Sequence, residues 1–134
     1  MRHSLYERVG GKPFFEDLTR RFYSAVAEDR VLRPVYPADP EAFEASRAHL
    51  ELFLVQYWGG PSTYNETRGQ PRLRMRHAHF SIGQAERDAW VAHMSEAVRQ
   101  SGLDPLDEMQ MVHYFSASAT HLINQQSQPD TDRQ

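Results

Sequence analysis

The chain contains no cysteine. Disulfides, thiolate metal centres and a nucleophilic cysteine are excluded with it, and a cytoplasmic location is the natural expectation. A basic excess is missing too. The net charge is −3 with histidine neutral, which argues against a general nucleic-acid binder, because such proteins carry a basic footprint. No stretch approaches the roughly 18–20 apolar residues of a membrane span. The opening MRHSLYERVGGKPFF is broken by charges at intervals too short for a secretory leader. Internal repeats and convincing strand patterns are absent, and no histidine pair has the HExxH spacing of a zinc hydrolase.

What is present is a chain of 134 residues, 40% hydrophobic. That suffices for one core with a pocket in it. Helical signals dominate. Ser4-Leu5-Tyr6-Glu7 reads as a capping box, closed by Gly10-Gly11. Pro13 sits at the start of a second helix, in which Phe14, Phe15, Leu18, Phe22 and Val26 recur at helical spacing to about Ala27. Two prolines in Arg33-Pro34-Val35-Tyr36-Pro37 forbid a long helix there. Asp39-Pro40 opens a long one, with Phe43, Leu50, Phe53, Leu54 and Tyr57 on one face, stopped by Gly59-Gly60-Pro61.

Residues 61–71 read as a polar loop. A short helical piece follows from Leu73 to His77. The next helix spans Gly83 to about Ser101, with Trp90, Met94, Ala97 and Val98 inward. A last one starts at Asp104-Pro105, with Met109, Val112, Ser116, Ala119 and Ile123 on one side. From Gln125 onward the chain is polar and is expected to fray. The fold class is all-α, two long helix pairs with an irregular middle, and irregular segments of this kind usually frame a site.

Two groups of residues carry chemistry. Among seven histidines, His77 follows the basic run Arg72-Leu73-Arg74-Met75-Arg76, and Leu73 and Phe80 flank it at i−4 and i+3. His79, two residues on, points elsewhere on a helix. An imidazole on an apolar face beside arginines suits a flat apolar ligand with an anionic edge. Haem is such a ligand, taking imidazole at iron and arginine at its propionates. The second ring nitrogen of His77 would donate to a carbonyl such as that of Leu73. The same pattern equally describes a solvated basic face with an incidental histidine. The second group is Tyr23, Tyr36 and Trp90, three aromatics with polar tips. They fit either a polar pocket wall or ordinary core aromatics reaching water or a carbonyl.

Arg21-Phe22-Tyr23, Val35-Tyr36-Pro37, Gln56-Tyr57-Trp58-Gly59-Gly60-Pro61, Arg72-Leu73-Arg74-Met75-Arg76-His77 and Glu86-Arg87-Asp88-Ala89-Trp90 stand in this order and spacing. In these motifs, across about residues 4–124, the chain resembles the truncated haemoglobins of the second group, the oxygen-avid bacterial type. The resemblance implies a truncated globin domain over residues 1–125, a two-over-two helical sandwich around a non-covalent haem b. Residues 126–134 are left as a polar tail. It implies His77 as the proximal iron ligand, with Tyr23, Tyr36 and Trp90 on the distal side facing the gas. Ser46 and Leu50 would line the distal pocket, Phe53, Leu54 and Leu73 would pack on the haem, and Arg76, Tyr64 and His49 would meet the propionates. The paired glycines resemble the family's chain reversals. Ser46 departs from the small residue, often alanine, usual at its position, and His79 from a frequent proline.

Bound oxygen carries partial negative charge, so donors beside it slow its release. Each such bond contributes about 0.5–1.5 kcal/mol net, and two phenols with one indole offer three. Slow release suits redox chemistry on the ligand better than carriage. Conversion of nitric oxide to nitrate and reduction of peroxide both fit, with electrons from a separate reductase. The expected small ligands are O2, NO, CO or peroxide. An oxygen or redox sensor, or an oxygen-delivery protein acting through a partner, is the alternative of a different class. A homodimer is compatible with the apolar helix faces, and a non-haem helical binding module is the remote alternative.

Overall fold

A computed structural model describes residues 4–69 and 82–121 of the chain. Every regular element among these residues is helical: α1 (Leu5–Arg8), α2 (Lys12–Ala27), a 3-10 turn (Arg33–Val35), α3 (Pro40–Tyr57), α4 (Thr63–Arg68), α5 (Gln84–Arg99) and α6 (Pro105–His121). The helical piece expected at 73–77, Ile123 and the tail 126–134 lie outside the described residues.

The expected starts are present. Ser4 Oγ accepts from the Glu7 N–H at 3.2 Å, and Asp39 Oδ2 accepts from the Ala42 N–H at 2.9 Å, so each side chain satisfies a backbone donor that the first helical turn leaves over. On α2, Phe15, Leu18, Phe22 and Val26 are fully buried. Removing each from water is worth about 1.5–3 kcal/mol, more than the intrinsic preference of any residue for the helical state. Packing therefore holds α2 in place. It lies against both α3 and α5, and α5 pairs with α6, giving two helix pairs with α2 common to both contacts.

Two expectations change. Thr63–Arg68 is a helix rather than loop. Gln56 holds it, accepting from the Asn65 N–H at 2.9 Å and donating to Asn65 Oδ1 at 3.0 Å, while Tyr64 is buried beneath it. On α6 the inward stripe is Met111, Phe115 and Ala119; Met109 is 63% exposed. Met109 stands two residues from Met111, roughly 200° around the helix, so one register must face water, and the Phe115 ring decides which.

The α2–α3 contact contains a polar bridge. Arg47 Nη1 donates to Thr19 Oγ1 at 2.9 Å and to Glu51 Oε1 at 2.8 Å, and Arg47 Nη2 donates to Glu44 Oε2 at 2.8 Å. Lys12 closes on the other oxygen of Glu51. Thr19, Arg47 and Glu51 are all buried. At the far end of α3, the Tyr6 N–H donates to the Trp58 carbonyl at 3.0 Å. Gly60 permits that approach, since a Cβ there would stand 2.7 Å from both the Tyr6 ring and Val55.

Burial alone would raise the Glu51 carboxyl, but Lys12 and Arg47 outweigh it and hold it below its ordinary value. A depressed carboxyl contributes stability above its unfolded value near 4 and loses it as pH falls through the folded value. Arg47→Ala leaves Glu51 buried with its inner partner gone. It should cost about 3–5 kcal/mol in urea unfolding at pH 7, and the gap from the wild type should narrow as the pH drops below 4.

Candidate functional site

A cavity of about 550 Å³ opens between α2, α3, α5 and α6, within the roughly 300–1,000 Å³ of ligand and cofactor sites. Tyr23 reaches it from α2, Tyr36 from just after the 3-10 turn and Trp90 from α5. Ser46, His49, Leu50, Phe53 and Leu54 line it from α3, and Tyr64 and Arg68 from α4. Every described residue singled out from the sequence thus meets at one place. His77, Leu73 and Arg76 lie outside the described residues, so the iron ligand, one packing residue and one propionate partner expected from the resemblance are not placed.

The polar tips on one wall are paired with each other. Trp90 Nε1 donates to Tyr36 Oη at 3.1 Å, and the hydroxyls of Tyr23 and Ser46 are 2.8 Å apart. The rings support these contacts from behind. Tyr23 and Tyr36 meet edge-on at 5.3 Å between centroids, both touch Phe43, and Trp90 packs edge-on against Phe22 and Phe115. Arg33 lies 4.1 Å over the Phe43 ring, a cation–π contact that braces this wall from outside.

Asp29 locks the segment carrying Tyr36. Its Oδ1 accepts from the Val31 and Leu32 amides at 2.7 and 3.0 Å, and its Oδ2 lies 2.6 Å from His93 Nε2 on α5. The His93 contact, with those amides, holds the Asp29 carboxyl below its ordinary value. One carboxylate therefore ties the loop before Tyr36 to the helix that presents Trp90.

Sequence reasoning missed two contributors. Arg68 lines the cavity with its Nη1 3.3 Å from His49 Nε2. It escaped because residues 61–71 read as loop, whereas on α4 Arg68 stands one turn after Tyr64 and shares its face. The second is α6, whose Tyr114 and Phe115 also line the cavity beside the expected Ala119; of the face chosen there from periodicity, Ala119 is buried and Val112 packs on the core, while Met109 faces water.

Residues 4–124 match the family described as Bacterial-like globin. The chain belongs to that family. It is 34% identical over 125 residues to the group 2 truncated haemoglobin YjbI of Bacillus subtilis, covering 93% of this chain and 92% of the relative. It is similar to the solved structure of a thermostable haemoglobin from the actinobacterium Thermobifida fusca, with 48% identity, a TM-score of 0.87, and 91% and 98% of the two chains covered. The truncated oxygen-avid haemoglobin of Bacillus subtilis superposes with a TM-score of 0.83 at 32% identity, over 91% of this chain and all of that one. The chain is thus a truncated haemoglobin of the second group, and membership implies a haem globin that binds oxygen. The described cavity fits that group in volume, in its apolar wall of Leu50, Phe53 and Leu54, and in the cationic Arg68 at one side. Among the described residues no helix is long and apolar enough to cross a membrane.

Burial pushes the Tyr23 phenol up to about 12, against smaller opposing pulls from Ser46 and Arg47. Tyr36 keeps some exposed surface where it lines the cavity, yet burial, reinforced by Tyr23, raises it well above 10. Both phenols are therefore neutral donors at any physiological pH. A phenol raised in the folded state contributes stability below about pH 10 and loses it as the pH climbs through the folded value. In a spectrophotometric alkaline titration, Tyr23→Phe and Tyr36→Phe should leave the phenolate absorbance gained below pH 11 unchanged. A decrease in either variant would show that its phenol ionises normally.

Proposed function

We propose that the chain holds a non-covalent haem b through His77 and retains a diatomic ligand with high affinity and slow release, for redox chemistry on that ligand. The observation that carries this is the wall formed by Tyr23, Tyr36 and Trp90, three polar aromatics converging on one apolar cavity. When bound, ferrous haem supplies an iron that takes O2, NO or CO. The protein's part is to hold proton donors beside the ligand and to keep bulk water away from it. Trp90 gives its indole proton to Tyr36, so the Tyr36 oxygen acts as acceptor, and the Tyr36 hydroxyl also interacts with that of Tyr23. The bond also polarises the phenol, which strengthens it as a donor. Phe22, Phe43 and Phe115 fix the rings in this geometry. In this reading Ser46 and Leu50 line the ligand's side, and Phe53, Leu54 and Leu73 pack on the macrocycle. Tyr64, His49 and Arg76 take the propionates, with Arg68 as a further cation.

Nitric oxide conversion to nitrate and peroxide reduction both use a ligand held in this way, and both draw electrons from a separate reductase. The domain spans residues 1–125 in this proposal, with 126–134 as a tail, and works in the cytoplasm.

The purified protein should show a Soret band that responds to reduction and to oxygen. His77→Ala should abolish or shift it. A colourless protein that takes up no added hemin would remove the proposal. Trp90→Phe loses the donor to Tyr36 and should release oxygen roughly two- to tenfold faster in stopped flow, as expected for one net hydrogen bond. An unchanged off-rate would remove Trp90 from the donor wall.

A further inference from the structure

The hydroxyls of Tyr23 and Ser46 are 2.8 Å apart, on facing helices, and both residues line the cavity. Either hydroxyl can give the proton in this pair; the phenol is the far stronger acid, which favours the arrangement in which the phenolic proton is given and Ser46 Oγ accepts. Tyr23 has one such proton. It is also one of the groups that would serve a ligand in the cavity. A proton committed to Ser46 is not available to that ligand.

We propose that Ser46 is a positioning residue that shortens the ligand's residence by competing for the Tyr23 proton. The proposal rests on the haem-globin reading above. The competition is built in, because the distance between the two hydroxyls is fixed from next door. Arg47 follows Ser46 and is anchored to Thr19, one helical turn before Tyr23, at 2.9 Å, and to Glu51 at 2.8 Å. Tyr23 itself is 6% exposed and wedged against Phe22, Tyr36 and Phe43. Neither side chain can drift away from the other without dislodging a buried partner. Burial already keeps Tyr23 neutral, so what Ser46 sets is the direction of its proton.

The experiment compares Ser46→Ala, Ser46→Thr, Tyr23→Phe and the double variant Ser46→Ala/Tyr23→Phe, all as haem-loaded protein. Two quantities are read: the oxygen off-rate by stopped flow, and the C–O stretching frequency of the carbon monoxide complex by infrared spectroscopy. A stronger donor at the ligand lowers that frequency, whereas a change of volume or stability alone does not. Ser46→Ala should release oxygen about two- to tenfold more slowly and lower the C–O frequency. Ser46→Thr, which keeps the hydroxyl, should resemble the wild type. In the Tyr23→Phe background the serine substitution should do nothing to either quantity.

An unchanged or faster off-rate in Ser46→Ala overturns the proposal. So does an effect that survives in Tyr23→Phe, because Ser46 would then act on the ligand directly. These outcomes leave the Soret band in place and so count against Ser46 alone. A protein that binds no haem fails at the earlier step and takes both readings with it.

Discussion

Polar groups placed in an apolar cavity must be paired, and this requirement organises the structure. An unpaired hydroxyl or indole N–H away from water costs about 1–3 kcal/mol, a sizeable share of the 5–15 kcal/mol that holds a domain together. One wall of the cavity carries an indole and two phenols, and it meets the requirement by joining elements distant in sequence. Trp90 on α5 bonds Tyr36 beyond the 3-10 turn, and Tyr23 on α2 bonds Ser46 on α3. The groups suited to a ligand are thereby also the groups that tie the site together.

Such pairs hold only if the elements beneath them are fixed. The Arg47 bridge sets α3 against α2, and Asp29 joins the Tyr36 segment to α5. The close approach of Tyr6 to Gly60 anchors the far end of α3. Each of these lies outside the cavity wall. The rigid contacts surround the cavity while its interior is left for a ligand, the arrangement a preorganised site needs.

The long helices were legible because their apolar residues repeat at helical spacing and their starts carry Ser4, Asp39 and Pro40. Thr63–Arg68 was not, because five polar residues and a single tyrosine show no apolar period; its support comes from Gln56, seven residues before its first residue. Periodicity placed Ala119 of α6 correctly but misplaced Met109, because two registers each offered apolar side chains and only tertiary packing separates Met111 from Met109. Arg47 and Glu51 were invisible for a related reason. A charged residue on a helix reads as surface, and nothing local shows that its partner lies on another helix. The site itself was more legible than its supports. Tyr23, Tyr36 and Trp90 stood out as polar aromatics in recognisable motifs, while Asp29 and Arg68 became meaningful only once the folded chain brought them together.

Counting donors from the sequence overstates what a ligand receives. Three polar aromatics suggest three bonds, yet each N–H or O–H carries one proton, and in the structure all three polar tips already have partners. The Trp90 proton goes to Tyr36, and the Tyr23 hydroxyl shares its bond with Ser46. A ligand entering the cavity does not add bonds to an idle wall; it exchanges with bonds already made, and only the difference between the two sets contributes to its retention. Residence time in such a pocket is therefore set by competition among acceptors. A single serine hydroxyl, contributing little to the cavity's shape or charge, then bears on it as directly as an aromatic donor does.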